Sequence, residues 1–330
     1  MDRIAELARA FAQPVIGFDL RFSLFYLGAT VLLAFLIWLW RGQRSSFLVW
    51  LLPAKVYLHR SNLVDFKLFL ANHAMFVSGI FGPVIFAPAI AYLVASALNA
   101  PGLGDPGPLA PTWIDVAIAT AAIVVATDFC KYWAHRLHHE TRFLWPFHAV
   151  HHSAEVLTPL TLARAHPMET VVRNLIVSIV VGLVQGLLLF LLIGEIDILT
   201  VGGANILYFL FNLLGANLRH SHIWLSYGYV AEHIFISPAQ HQIHHSVAVE
   251  HHNKNYGSIF ALWDWAFGTL YIPDAQEDLT FGVSNAAGDR IEQPHPTLRA
   301  ALLAPFAESA KAFRRSRRPS GPSAVKHPAE

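Results

Sequence analysis

The sequence predicts an all-α integral membrane protein, with four to five transmembrane helices and a cytosolic histidine-rich helical cap. Three observations predict this class. Of the 330 residues, 55% are hydrophobic and only 14% are charged, whereas soluble domains carry about a quarter charged residues. Apolar runs long enough to span a membrane recur along the chain. Histidine is over-represented, with 19 residues against 22 Asp plus Glu together.

Five stretches are apolar enough to be membrane spans, since a helix needs about 20 mostly apolar residues to cross a bilayer. They are Phe22–Trp40, Leu68–Leu98, Ile114–Ala134, Val171–Ile193 and Ile198–Leu218. The second contains Pro83 and Pro88, so it is either one kinked helix or a re-entrant pair. Residues 1–18 are expected to form a short amphipathic helix at the interface. The alternative for all these stretches is the buried helical core of a soluble protein.

Basic residues predict the orientation, because cytosolic loops carry an excess of Lys and Arg. Five basic residues lie between the first two spans, whereas the next loop, Asn99–Thr112, has none. Basic residues return after the third and fifth spans. Segments 41–67, 135–170 and 219–330 are therefore expected in the cytosol. The basic tail from Arg314, rich in Pro and Ser, is expected to be disordered.

The same features divide the chain into three regions. Residues 1–110 hold the interfacial helix and two spans, residues 111–275 hold three spans and most histidines, and residues 276–330 form a C-terminal extension.

The net charge of +1 does not favour nucleic acid as a partner. The single cysteine, Cys130, excludes a disulfide framework or a thiolate metal cluster. The N-terminus lacks signal-peptide features, so the first apolar run is expected to remain in the protein.

Fifteen of the 19 histidines lie between His135 and His252, outside the predicted spans. Three motifs share the spacing i, i+3 and i+4: they are His135, His138 and His139; His148, His151 and His152; and His241, His244 and His245. On a helix, these offsets place the three rings on one face, where they can bind one metal ion or be divided between two. The repeated pattern predicts a metal site rather than unrelated surface histidines. Imidazole suits Fe, Zn, Cu and Ni, so the spacing does not name the metal.

Two further histidines adjoin the predicted span ends. His166 precedes the fourth span and His220 follows the fifth, and both are predicted as additional metal ligands. A ligand role and an ordinary loop position both remain open for His138, His222, His251 and His252.

Asp128 lies inside the third span, seven residues before His135. An ionisable residue within a membrane span is a candidate functional residue. Two helical turns, about 10–11 Å, separate it from His135, so it is not expected to bind the same metal. It is instead expected to hydrogen-bond the imidazole of a ligand from a neighbouring motif. Pairing with Lys131 is the alternative, and Glu155 and Glu169 are weaker candidates for the same supporting role.

The order and surroundings of the three motifs resemble the fatty acid hydroxylase/sterol desaturase superfamily, over residues 125–272. The matching segments are HxxxH at 135–139, HxxHH at 148–152 and 241–245, Asp128–Arg136, Asn255–Gly257, Trp263–Asp264 and Phe267–Thr269. His220 matches the histidine of the family's His-Ser-Asn motif, in which His222 here replaces Asn. This departure leaves open which of the two binds metal.

The resemblance implies a membrane fold whose cytosolic cap holds two iron ions, with O2 as co-substrate and zinc as a substitute metal. It implies hydroxylation, desaturation or ether cleavage of a lipid, such as a fatty acyl chain, a sterol or an alkyl lipid. The expected metal ligands are His135, His139, His148, His151, His152, His166, His220, His241, His244 and His245. No haem-binding or flavin domain is recognisable, so electrons are expected from a separate ferredoxin or cytochrome b5-like partner with its reductase.

Two other function classes use histidine-rich sites. A membrane zinc hydrolase would activate water, but a single zinc with three ligands needs far fewer histidines. A metal transporter would place its ligands at mid-bilayer, whereas these motifs lie beyond the span ends. The abundant Ala and Arg favour a bacterial source, and hence the inner membrane.

Overall fold

The computed structural model describes residues 23–80, 86–99, 112–193, 207, 209–213 and 215–316. Within these ranges the regular secondary structure is helical, and β pairing is limited to three isolated bridges. The helices used below are α1 (Leu24–Trp40), α2 (Phe47–Leu51), α3 (Ala54–Tyr57), α4 (Ser61–Val77), α5 (Ala87–Leu98), α6 (Trp113–Glu140), α7 (Trp145–His152), α8 (Pro167–Leu188), α9 (Pro238–His244), α10 (Leu262–Ala266) and α11 (Leu298–Ser316). Short 3-10 helices at Pro159–Ala163, Ala216–His220, Ala231–His233 and Val249–His251 lie between them. The predicted all-α class is confirmed for this part of the chain.

Two helices of the described residues, α6 and α8, are long and apolar enough to cross a membrane. In the capping box that starts α6, Thr112 and Asp115 each accept the other's backbone N–H. Helix α8 begins at Pro167, where proline is tolerated because first-turn N–H groups have no helical partner. It continues as a π-helical turn over Leu189–Ile193. These two helices contain the third and fourth predicted spans.

The other predicted spans are shorter or only partly described. The first corresponds to α1, which has 17 residues. The second is two helices, α4 and α5, separated by a turn at Gly79 with φ +79° and by residues 81–85, which lie outside the described residues. Most of the fifth predicted span, Ile198–Leu218, also lies outside them, as does the predicted helix at 1–18.

Glycines allow α8 to pack closely against α5. A Cβ atom at Gly186 would lie 2.5 Å from the Cβ of Val94, and one at Gly182 would lie 2.7 Å from the Cβ of Ile90. Small residues at this four-residue spacing are typical of membrane helices whose backbones cross closely. Helix α8 also packs along α6, so the start of α8 is held beside the histidine-bearing end of α6.

The surface of α1 fits an apolar environment. Leu24, Leu32 and Leu36 are 65%, 60% and 53% exposed. Such extensive exposure of large apolar side chains on one helix is expected where lipid, rather than water, surrounds it.

The C-terminal extension packs against a histidine-bearing helix. Val64 of α4, Val150 of α7 and Ala301 of α11 meet in one buried apolar cluster. Helix α11 extends to Ser316, so the tail predicted to be disordered from Arg314 begins inside a helix. Residues beyond Ser316 lie outside the described residues.

Candidate metal centre

The three histidine motifs lie on three short or terminal helical segments that meet beside α8. The first occupies the last turns of α6, the second occupies α7, and the third occupies α9 with His245 as its C-cap. Helices α7 and α9 are only two turns long, and both have proline in the first turn. In α9 a capping box between Ser237 and Gln240 supplies further N-terminal hydrogen bonds. His220 ends the 3-10 helix Ala216–His220.

Nine histidines converge in two adjacent groups. Within each group the ligand nitrogen atoms all lie within 4.8 Å of one another. Group A consists of His135, His139, His148, His152 and His244, and group B of His151, His220, His241 and His245. The rings of His152 and His245 stack between the groups with centroids 4.5 Å apart. The sequence left open whether a motif serves one metal or two; in the structure two of the three motifs are divided between the groups.

The division follows the helical spacing. His148 and His152, four residues apart on α7, both face group A, whereas His151 faces group B. In the third motif the assignment is reversed, because His244 faces group A while His241 and His245 face group B. The first motif contributes His135 and His139 to group A alone.

The geometry within each group fits a bound cation. In group A the Nε2 atom of His148 lies 3.1 Å from that of His135 and 3.2 Å from that of His152. In group B successive Nε2–Nε2 distances of 3.2, 3.1 and 3.2 Å join His151, His220, His241 and His245 in that order. Two imidazole nitrogens bound to one metal at about 2.1 Å are separated by about 3.0–3.4 Å, depending on the angle between them.

Hydrogen bonds on the opposite side of three rings orient their lone pairs toward the groups. The Nδ1–H groups of His135, His151 and His244 donate to the main-chain carbonyls of Tyr256, Arg164 and Lys254, at 2.8, 3.2 and 2.7 Å. A carbonyl can only accept, so the proton of each neutral ring lies on Nδ1 and the Nε2 lone pair faces the group. Facing lone pairs repel each other, and a cation between them removes the repulsion.

The environment also keeps the rings neutral, as metal ligands must be. Burial lowers the pKa of His151 to about 4 and that of His244 to about 3. Burial, followed by the charge of neighbouring imidazoles, also lowers the pKa values of His152, His241 and His245 well below the usual value. A deprotonated imidazole is the form that binds metal.

One carboxylate supports group A from α8. The Oε1 atom of Glu169 lies 3.1 Å from Nδ1 of His148, which is the carboxylate–histidine arrangement that fixes ring orientation in metal sites. Glu169 was one of the two weaker candidates for this supporting role, and its carboxylate lies beside a group A ring. Glu155, the other candidate, pairs with Arg60 and Arg290 instead.

The hydrogen-bond partners of Asp128 differ from the imidazole that was predicted. Its carboxylate accepts hydrogen bonds from the backbone N–H groups of Ile259 and Phe260 at 2.8 and 3.0 Å, and from the indole N–H of Trp263 at 3.1 Å. None of these donors is an imidazole, because the 256–263 segment lies against this face of α6. Asp128 therefore holds the segment that begins with Tyr256, whose carbonyl in turn receives the Nδ1–H of His135.

Among the remaining histidines, His166 was predicted as a ligand but lies in neither group. Its Nδ1 accepts the backbone N–H of Met168 as the N-cap of α8, and its Nε2 is 3.1 Å from the carbonyl of Leu302. Both nitrogens are thus used by the main chain. His222 bonds the carbonyl of Trp50, so His220, and not His222, joins group B.

The three other open histidines also lie outside both groups. His138 bonds the Ala134 carbonyl. His251 pairs with Glu277. The Nε2 of His252 lies within hydrogen-bond distance of the Val247 carbonyl and the Ser284 hydroxyl.

Sequence reasoning missed a buried ion pair behind the second motif. Arg164 and Asp65 have no exposed surface, and their side chains are joined by a 2.7 Å bond. Arg164 also donates to the carbonyl of Val150 at 2.8 Å and to the hydroxyl of Ser153 at 2.8 Å, while its own carbonyl receives His151. No signal in the sequence points to this pair, because the two residues are 99 positions apart in the chain.

A polar cavity reaches group A from the cap. It has a volume of about 240 Å³ and touches His139, His152 and His244. Its other walls include Trp145 and several small polar residues, among them Ser246 and Asn253. The cavity gives small polar molecules a path to group A that does not cross an apolar layer.

Comparisons with known proteins agree with this site. Residues 120–269, which include all nine histidines of groups A and B, match the fatty acid hydroxylase family model. An ornithine lipid hydroxylase of Rhizobium tropici is 30% identical over 162 residues, covering 49% of this chain and 44% of that protein. An alkylglycerol monooxygenase of Homo sapiens is 24% identical over 161 residues, covering 49% and 32%. A protein of Arabidopsis thaliana named as a Delta(7)-sterol-C5(6)-desaturase is 27% identical over 175 residues, covering 50% and 53%.

The aligned region is thus about a third to a half of the length of these curated relatives. No solved structure matches the chain.

Proposed function

We propose that this chain is an O2-dependent membrane oxygenase with two irons. It belongs to the fatty acid hydroxylase/sterol desaturase superfamily, as its histidine motifs predict. The observation that carries the proposal is the convergence of nine imidazoles in two adjacent groups. Its named relatives are lipid hydroxylases, monooxygenases and sterol desaturases, so an oxidoreductase acting on a lipid is the coarser conclusion. The substrate classes are fatty acyl chains, sterols and alkyl lipids, and the outcome is hydroxylation or desaturation.

Groups A and B would each hold one metal ion. Imidazole suits iron, zinc and other first-row metals, and the family resemblance favours iron over zinc. When bound, a pair of irons would supply the O2 activation that attack on an unactivated C–H bond requires. His166 is not part of this proposal, since both its nitrogens bond the main chain.

The chain's own residues would fix the ligands and shield them. The carbonyls of Tyr256, Arg164 and Lys254 accept the Nδ1–H groups of three rings and so direct their Nε2 atoms inward. The carboxylate of Glu169 lies 3.1 Å from Nδ1 of a fourth ring, His148. Such supporting bonds typically account for about 10–100-fold in metal affinity or activity. Most of the rings are buried in the cap, which limits their contact with bulk water to the side of the polar cavity.

A lipid would approach from the membrane side and polar reactants from the cap. An apolar cavity of about 560 Å³ opens beside α1, lined by Leu32, Leu36 and Leu225 among others. The cavity at group A is smaller, and its walls include three of that group's histidines, Ser246 and Asn253. The apolar walls of the first cavity suit an acyl chain that enters laterally, but no histidine of group A or B lines this cavity. Electrons would arrive from a separate ferredoxin or cytochrome b5-like protein that docks on the cap.

A zinc hydrolase or a metal transporter fits the geometry less well. Nine imidazoles in two groups exceed the three protein ligands that a catalytic zinc needs. Group A includes two histidines from the last turns of α6, and group B is adjacent to group A, whereas a transport site would lie at mid-bilayer.

We expect four to five membrane-crossing helices, with the histidine groups on the cytosolic side of a bacterial inner membrane. A reporter enzyme fused after Gly268 should therefore be active in the cytosol, and one inserted near Gly104 should be active outside it. The physical reason is the excess of Lys and Arg in the loops on the histidine side. An external signal from the Gly268 fusion would overturn the orientation and the cytosolic electron donor.

Metal and lipid analysis together test the function. Purified chain should contain about two irons, and cells that express it should accumulate lipids heavier by one oxygen or lighter by two hydrogens. The matched controls are His244→Ala, which removes a group A ligand, and His233→Ala, which alters a cap histidine outside both groups. One zinc per chain with no lipid mass change, or lipid changes that persist in His244→Ala, would refute the oxygenase.

A further inference from the structure

Helix α11 has two apolar stripes: one is largely buried against protein, and the large side chains of the other are about half exposed. The covered stripe is Leu298, Ala301, Leu302 and Pro305, which faces α4 and α7. At 3.6 residues per turn, a second stripe of Leu303, Phe306, Ala310 and Phe313 lies roughly a quarter to a third of a turn away. Its three large side chains are 57%, 49% and 44% exposed. One edge of Phe306 contacts the rings of Phe147 and His166, and Phe313 contacts that of Phe143, so the stripe is open on its outer side.

The contacts of α11 place it level with the ends of the two long helices. The hydroxyl of Ser309 donates to the carbonyl of Phe143 at 2.7 Å, three residues beyond the end of α6 at Glu140. The carbonyl of Leu302 lies 3.1 Å from Nε2 of His166, the residue immediately before α8. Helix α11 therefore runs beside the positions where α6 and α8 would leave the bilayer.

The charges around the second stripe have one sign. Arg299, Lys311 and Arg314 are exposed, and Arg315, Arg317 and Arg318 follow in the sequence. The helix has a single acidic residue, Glu308. A helix with exposed Leu and Phe beside Lys and Arg is the type that binds the surface of an anionic bilayer.

We propose that α11 lies in the membrane interface on the side of the histidine groups. The Leu303, Phe306, Ala310 and Phe313 stripe enters the acyl region, and the flanking basic residues contact anionic lipid headgroups. The proposal rests on the membrane orientation of α6 and α8 proposed above, but not on the metal or the reaction. Because α11 also packs on α7, the interface would anchor the cap at a fixed height above the bilayer.

Nitroxide labelling of the full chain in lipid nanodiscs tests this. Cys130, the one cysteine, is 2% exposed, so a Cys130→Ala background allows single labels at Leu303→Cys, Ala310→Cys and Lys311→Cys. In phosphatidylglycerol-containing discs, O2 should relax the labels at 303 and 310 more than a water-soluble nickel chelate does. The label at 311, one residue further along the same helix, should show the reverse order.

Three results would overturn the proposal. Nickel access at 310 equal to that at 311 would place the stripe in water. Protection of 303 and 310 from both reagents, with spin–spin broadening, would mean that a second copy of the chain covers the stripe. Immersion of 310 that is unchanged when Arg299, Lys311 and Arg314 are all replaced by Gln would remove the role of anionic lipid. The labelling experiment does not depend on metal content or turnover. Its failure is therefore distinguishable from failure of the proposed oxygenase function.

Discussion

The variants His151→Ala and His152→Ala are expected to lose different metal ions, although the two residues are neighbours in the sequence. His152 belongs to group A and His151 to group B. Loss of a ligand has a larger effect than loss of a supporting hydrogen bond, which itself accounts for about 10–100-fold. Each variant should therefore retain about one metal per chain and lose more than about 100-fold in turnover.

Elemental analysis of the purified variants tests the expected content of about one metal per chain. Iron spectroscopy should show different residual sites in the two variants. His138→Asn is the matched control. His138 stands in the first motif but lies outside both groups, and an Asn amide can replace its bond to the Ala134 carbonyl. Identical residual spectra for His151→Ala and His152→Ala would contradict the division into two groups, and so would metal loss in His138→Asn.

The Asp65→Asn variant is expected to destabilise the protein more than any surface charge change. It leaves Arg164 charged, with no exposed surface and no counter-ion at the 2.7 Å position of Asp65. Removing one partner of a buried ion pair typically costs about 3–5 kcal/mol. The free energy of unfolding in detergent should fall by that order. Group B should lose metal affinity as well, because the carbonyl of Arg164 orients His151.

A double variant separates the two effects. Replacing both partners with apolar residues, Asp65→Leu with Arg164→Met, is often neutral or stabilising at buried pairs. The double variant should recover much of the unfolding free energy and still bind the group B metal more weakly, since the bonds from Arg164 to Val150 and Ser153 are lost. Full recovery of metal binding would reduce the pair to a purely structural role.

The partly exposed pair of Arg136 and Glu140, at the histidine-bearing end of α6, provides a comparison. Exposed i,i+4 pairs contribute about 0.3–0.5 kcal/mol. The Glu140→Gln variant should therefore unfold almost like the parent chain. A loss for Glu140→Gln as large as that for Asp65→Asn would mean that burial is not the cause.

The sequence alone determined the properties that depend on local pattern and composition. Apolar runs predicted the long helices α6 and α8, because span length is set by bilayer thickness and needs no knowledge of neighbours. The i, i+3 and i+4 spacing predicted rings on one helix face, since helical geometry fixes that arrangement. The interrupted run with Pro83 and Pro88 signalled a break in the second span, which became α4 and α5. The superfamily followed from the same motifs.

The tertiary structure decided how the rings are shared. Whether His151 faces the same group as His148 depends on the angle at which α7 meets α6 and α9, and the periodicity of a single segment does not contain that angle. His220 joins group B, whereas His166, equally close to a span end in the sequence, turns to the main chain of α11 and α8.

The long-range partners of charged residues could likewise not be predicted from the sequence. Asp128 was assigned to an imidazole but serves backbone donors more than 130 residues away, and Asp65 meets Arg164 across 99 positions. A buried carboxylate takes whichever donors the folded chain brings to it, because leaving it unpaired would cost several kcal/mol. Composition and spacing predicted a metal centre beside a membrane; only the packing of distant segments determined which side chains converge there.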